Sequence, residues 1–170
     1  MTTASVRNPS SKPTTRPHVV TGLAASFRPT DREGRYSLYT QGATEQNYFR
    51  GVQLADAAGK VRFTSVFPAC YAGRWPHIHF EVYPDQAGIT DASKAIATSQ
   101  VALPKAACDT VYAQPGYEAS VAALSRVTLA GDNVFGDDGG VRQLGTVAGD
   151  ASRGFAVSLA VPVDTRTTPG

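Results

Sequence analysis

The residues of this chain best suited to chemistry lie close together, in Tyr71-Ala72-Gly73-Arg74-Trp75-Pro76-His77-Ile78-His79-Phe80-Glu81-Val82-Tyr83. In an extended strand alternate side chains share a face, so His77 and His79 point one way while Ile78, Phe80 and Val82 point the other. Two imidazoles at that spacing form a common transition-metal pair. Imidazole serves zinc, copper, iron and nickel alike, so the pair alone does not choose the metal, and two histidines on a strand face are also compatible with an ordinary surface. The turn at Gly73 and the fixed dihedral of Pro76 bring Tyr71 and Arg74 back towards the imidazoles. A tyrosine phenolate is a hard anionic donor, and losing its proton near pH 7 requires a strong Lewis acid, which favours ferric iron over zinc. Other roles remain open: tyrosines commonly pack as core or rim aromatics, Arg74 could be a surface ion-pair partner, and His77 and His79 could hold a divalent ion with Glu81.

Short strands are the elements that must position these groups. Tyr48 to Leu54, Lys60 to Phe67 and Pro76 to Tyr83 are runs of β-branched and aromatic residues separated by turn sequences. Asp91 to Leu103 has helix formers between an Asp-Ala-Ser start and the Pro104 stop, and shorter helices are expected at Lys105 to Ala113 and Tyr117 to Leu124. Gly131 to Gly140 is a Gly/Asp/Asn loop. Val141 to Val147 and Phe155 to Val163 read as closing strands. Residues 1 to about 30, rich in Thr, Ser, Pro and Arg, read as a loose arm ahead of a single domain over 31–170.

Composition narrows the partners. With 170 residues, 42% of them hydrophobic, and a formal charge of +2, the chain suits one globular domain without a basic stripe, which argues against nucleic acid. No run approaches the roughly 18 apolar residues of a membrane span and no apolar signal core opens the chain, so it reads as soluble and cytoplasmic, or exported if a signal peptide has been lost. Cys70 and Cys108 are too few for a disulfide scaffold and leave one bridge open.

Four words carry a resemblance: Asp31-Arg32-Glu33-Gly34-Arg35-Tyr36-Ser37, Tyr48-Phe49-Arg50-Gly51-Val52-Gln53, Phe63-Thr64-Ser65-Val66-Phe67-Pro68 and Gly73-Arg74-Trp75-Pro76-His77-Ile78-His79-Phe80. From Asp31 to about Val163 the chain resembles the intradiol ring-cleavage dioxygenases, the group of protocatechuate 3,4-dioxygenase and catechol 1,2-dioxygenase. The resemblance implies an antiparallel β-sandwich with short peripheral helices, and non-haem Fe(III) held by Tyr36, Tyr71, His77 and His79. It further implies a catechol-type aromatic diol and O2 as substrates, opened to a muconate-type diacid. Tyr36 would also act as a base for a phenolic proton, Arg74 would stabilise developing negative charge, and Gln100 would touch the substrate. The family often forms homo-oligomers. Ahead of Asp31 the resemblance stops, which leads to the expectation of a sandwich incomplete at a truncated or frame-shifted N-terminus, with Tyr36 unanchored. The alternative function is then a catalytically compromised β-sandwich module.

Overall fold

A computed structural model of the chain describes residues 22–167 and, as backbone, the strand at 2–7. Among the described residues eight strands and two α-helices follow in chain order: β1 (Thr2–Arg7), β2 (Ala24–Arg28), β3 (Gly51–Leu54), β4 (Lys60–Phe63), β5 (His77–Tyr83), β6 (Ala97–Ala102), α1 (Lys105–Tyr112), α2 (Glu118–Leu124), β7 (Thr146–Asp150) and β8 (Gly154–Pro162). They form two four-stranded sheets, ordered β4-β1-β8-β7 and β3-β2-β5-β6. Every pairing is antiparallel except β1 with β8, which run parallel.

The sheets meet face to face over alternating apolar residues, as strand geometry requires. Ile78, Phe80 and Val82 of β5 are buried, as are Val61 and Phe63 of β4 and Val157 and Val161 of β8. Phe27 of β2 stacks on Phe63 of β4 with ring centroids 4.7 Å apart, joining the two layers. The opposite face of β5 carries His77, His79 and Glu81 away from this core, so the predicted period-2 reading of that strand holds.

Two expectations are corrected, and one open question is answered. The loose arm does not extend to residue 30: Ala24–Arg28 is an inner strand between β3 and β5, paired Ala24 with Tyr83 and Arg28 with His79. Thr2–Arg7 pairs with both β4 and β8, while residues 8–21 lie outside the described residues. Asp91 to Leu103 is not a helix. Asp91 does accept from the Ser93 N–H, but it opens only a 3₁₀ turn over Ala92–Lys94, and Ala97–Ala102 then pairs along β5. Tertiary pairing outweighs the helical propensity of the alanines there. Finally, Cys70 and Cys108 are buried free thiols.

Both helices serve the segment that leads into Tyr71. Val111 and Tyr112 turn inwards from α1, and the Tyr112 hydroxyl donates to the Pro68 carbonyl at 2.9 Å. The Tyr117 hydroxyl donates to the Phe67 carbonyl at 2.7 Å, and Ser120 of α2 accepts from the Cys70 N–H at 3.1 Å. Phe67, Pro68 and Cys70 are thereby tied to the helical region, while Ala69 is tied to Thr30 and Asp31.

Candidate metal and substrate site

Tyr36 and Tyr71 arrive from loops, whereas the imidazoles arrive from a rigid strand. The first loop is organised by Asp31, whose carboxylate accepts from the Glu33 N–H, the Arg35 N–H and the Arg35 Nε, each at 2.9 Å, and from the Tyr48 hydroxyl at 2.7 Å. Burial alone would raise its pKa, but these bonds outweigh it and hold the carboxyl below its ordinary range. Gly34 has φ +80°, and a Cβ there would meet the Cβ of Tyr71 at 3.1 Å. Only glycine takes that turn at that approach without strain. The Tyr36 N–H donates to Thr40 Oγ1 at 2.9 Å, so the expectation that Tyr36 is unanchored is overturned.

The structure brings Tyr36, Tyr71 and His77 together. The Tyr36 hydroxyl lies 2.7 Å from His77 Nε2 and the Tyr71 hydroxyl 3.5 Å from the same nitrogen. His77 Nδ1 lies 2.6 Å from the Trp75 carbonyl, which can only accept. The ring proton therefore sits on Nδ1 and the lone pair of Nε2 faces the two phenols. Burial lowers the His77 pKa to about 4, leaving a neutral imidazole near pH 7. The Tyr36 phenol is pushed far above its ordinary value, first by burial and then by Tyr71.

His79 shares the strand face but makes no described contact with those three side chains. Its Nε2 is buried without a hydrogen-bond partner, and its pKa is lowered by burial first and the Arg28 charge second. Glu81 Oε1 is 3.8 Å from that nitrogen, yet the carboxylate is already engaged: Arg28 donates to Oε1, while Ser26 and Tyr83 donate to Oε2 at 3.2 and 2.7 Å. That removes most of the support for Glu81 as a metal ligand.

Gln100 of β6 stands directly across from His79. Its amide nitrogen is 3.4 Å from His79 Nδ1, and its oxygen accepts from Arg74 Nη2 at 2.5 Å. Arg74 Nε donates to Asp132 Oδ2 at 3.0 Å. The sequence reading missed Asp132. Its fully buried carboxylate also accepts from the Trp75 N–H at 2.7 Å and the Val134 N–H at 2.8 Å. One carboxylate thus fixes both the Arg74 cation and the Trp75 peptide that orients His77. Its only local sign is an Asx turn in a Gly/Asp/Asn loop, which looks like any other turn until its partner 58 residues away is known.

Among the described residues no three His, Cys, Asp or Glu side chains gather as a cation site, and the two imidazoles would need further donors to hold a metal. The chemistry of the present donors meets that need: two neutral imidazoles, one with a buried nitrogen lacking a partner, and two phenols converging on the other. A cavity of about 700 Å³ lies elsewhere, lined by Phe67, Ile78, Leu103 and Phe155 from the opposite side of β5. Among the described residues no helix is long and apolar enough to cross a membrane.

Comparison with solved structures decides the architecture. A ring-cleavage dioxygenase from Tetranychus urticae superposes with a TM-score of 0.75 over 97% of this chain and 80% of that one, at 18% identity. The fold is that of the intradiol dioxygenases. The dioxygenase domain of a carbohydrate-binding fusion protein from Streptomyces sp. SirexAA-E gives 0.58 over 96% of this chain and 77% of that one, at 22% identity. Catechol 1,2-dioxygenase from Pseudomonas arvilla C-1 gives 0.58 over 99% of this chain and 52% of that one, at 16% identity. No protein-family model matches the sequence, and no curated protein does. The intradiol fold therefore rests on structural likeness, including β2, the strand contributed by residues expected to be loose.

Proposed function

We propose that this protein is a ferric-iron-dependent intradiol dioxygenase that opens a catechol-type ring between its two hydroxyl-bearing carbons with O2, giving a muconate-type diacid. One observation carries the reading: the Tyr36 and Tyr71 hydroxyls converge on His77 Nε2, beside a second imidazole nitrogen that is buried and unpartnered. Tyr36, Tyr71, His77 and His79 would hold the metal. Ferric iron, when bound, supplies a trivalent Lewis acid that stabilises phenolate oxygens near neutral pH and a template for the diol.

The protein's own residues supply the rest. The Trp75 carbonyl holds His77 in the tautomer that offers Nε2. The Tyr36 oxygen takes a phenolic proton from the incoming diol, a task suited to a group whose burial favours its protonated form. Arg74, held at Nε by Asp132 and at Nη2 by Gln100, is a fixed cation facing the same space, worth about 10²- to 10³-fold in rate if it resembles other preorganised donors to developing negative charge. The alternative, a module of the same family that lost a competent site through its altered N-terminus, is less favoured by the Thr40 and His77 contacts of Tyr36.

Metal analysis with a visible spectrum tests the reading. Iron near one equivalent, with a tyrosinate charge-transfer band that weakens in Tyr36→Phe and in Tyr71→Phe, is the expected result. A colourless protein that takes up no iron from ferric salt would overturn it.

A further inference from the structure

The cavity of about 700 Å³ on the far side of β5 takes no part in the metal site, since none of Tyr36, Tyr71, His77 or His79 lines it. Its inner walls are apolar: Ile78, Leu103, Val111 and Val157 line it together with Phe67 and Phe155. The two phenylalanine rings meet edge to face with centroids 6.0 Å apart. The size falls within the roughly 300 to 1,000 Å³ of small-molecule sites, and aromatic walls favour a flat-ringed occupant. The wall is also held in place, because the Tyr117 hydroxyl donates to the Phe67 carbonyl at 2.7 Å and the Tyr117 ring itself lines the cavity.

Two polar groups break this apolar lining. Ser65 Oγ is buried without a hydrogen-bond partner among the described residues. An orphaned hydroxyl destabilises the free protein, and a ligand oxygen inside the cavity would satisfy it. The second group is the exposed Arg32, whose guanidinium lies over the Tyr117 ring, 5.7 Å from its centroid. The acids on either side of it in the chain, Asp31 and Glu33, are both taken by Arg35 at 2.9 Å. Arg153, the other cation of the lining, is bound to Asp150 at 2.8 Å. No Asp or Glu lines the cavity, so the Arg32 charge is answered by no carboxylate there.

We propose that this cavity binds a multi-ring aromatic carboxylate with a ring hydroxyl, its rings among Phe67, Phe155 and Tyr117, its carboxylate on Arg32 and its hydroxyl on Ser65. The proposal does not depend on the dioxygenase reading, and the ligand is not a ring-cleavage substrate at this place. A planar guanidinium offers a carboxylate two parallel donors. The Tyr117 ring beneath Arg32 holds that fork at the cavity mouth.

Fluorescence titration of the purified full chain with 6-hydroxynaphthalene-2-carboxylate tests the proposal; this probe has no vicinal diol to be cleaved. Saturable binding of one equivalent, unaffected by excess catechol, is the expected result. Arg32→Gln should weaken it about tenfold, the scale of one charged hydrogen bond, and leave the affinity for uncharged naphthalen-2-ol as it was. Ser65→Ala should weaken it about fivefold, while naphthalene-2-carboxylate, which lacks the hydroxyl, should bind parent and Ser65→Ala alike. Thermal melts report whether each variant is folded, and the exposed Arg32 gives a variant whose fold is not at stake. Absence of saturable binding, displacement of the probe by catechol, or equal affinity in parent and Arg32→Gln overturns the site. Equal affinity of the hydroxylated probe for parent and Ser65→Ala overturns the assigned pose.

Discussion

Replacing Asp132 by asparagine keeps the shape of the side chain and removes the charge on which the site turns. The carboxylate has donors on both oxygens: Arg74 Nε and the Trp75 N–H on Oδ2, at 3.0 and 2.7 Å, and the Val134 and Phe135 N–H groups on Oδ1, at 2.8 and 3.2 Å. Arg74 Nη2 also reaches Oδ1 at 3.4 Å, and an asparagine must present its own NH2 to one side or the other, so at least two donors lose their acceptor whichever way the amide turns. With about 1 to 3 kcal/mol for each unsatisfied donor, and the Arg74 charge left without its partner, the expected loss is about 3 to 5 kcal/mol. For a chain of this size that lowers Tm by roughly 10 °C. Thermal unfolding followed by circular dichroism measures it, and the visible band measures whether the His77 tautomer and Arg74 placement survive. Stability due to this carboxylate should also respond to acid with a definite sign. Burial tends to raise the Asp132 pKa, but Arg74 and the Trp75 N–H more than offset it, and the net shift is downward. Its contribution is therefore complete above the unfolded carboxylate pKa of roughly 3.9 and is lost as pH falls through the lower folded value. An Asp132→Asn protein melting within about 2 °C of the parent at pH 7 would refute the argument that this carboxylate fastens Arg74 and Trp75 together.

Three other outcomes follow from the same geometry. Glu81→Gln should lower stability by about 1 to 3 kcal/mol, because Arg28, Ser26 and Tyr83 all donate to that carboxylate, and should leave the iron content as it was; loss of iron would bring back a carboxylate ligand. Gly34→Ala, at φ +80° and 3.1 Å from the Tyr71 Cβ, should cost about 1 to 2 kcal/mol in a chemical denaturation midpoint and weaken the tyrosinate band, whereas a silent substitution would show that the Tyr71 loop is not held by this approach. Metal-free protein should lose stability on acidification below roughly pH 6.5, where the unfolded histidine takes up a proton that folded His77, at about 4, refuses; the unfolded chain binds more protons through that window, so up to about 3 kcal/mol disappears, and a His77→Gln profile as steep as the parent's would contradict it.

How much of this could be read in advance depends on how local each determinant is. The alternation of His77, His79 and Glu81 against Ile78, Phe80 and Val82 lies within seven residues of one strand, so period-2 logic found both the strand and the face that carries its two histidines. The capping aspartate before Ala92 was also local and was read correctly, yet the helix it announced ended after one 3₁₀ turn because β5 offers Ala97–Ala102 a pairing edge. β2 was missed for a related reason. Ala-Ala-Ser-Phe-Arg has little intrinsic strand preference, and its stability comes from β3 and β5 on either side, together with the Phe27 stack on Phe63.

The missed strand bears directly on the site. Arg28, the last residue of β2, neutralises Glu81 and thereby withdraws it from competition as a metal ligand, leaving the His79 nitrogen beside it without a partner. An unpaired buried nitrogen costs about 1 to 3 kcal/mol, and a fold that keeps Glu81 bound to Arg28 instead of closing the 3.8 Å gap to His79 retains that cost. The same strand that completes the sheet thus leaves the imidazole nitrogen without the carboxylate, so a variant lacking β2 should lose the core contact, and the proposed ligand set of two phenols and two imidazoles is more consistent with the surrounding charges than a His-His-Glu set.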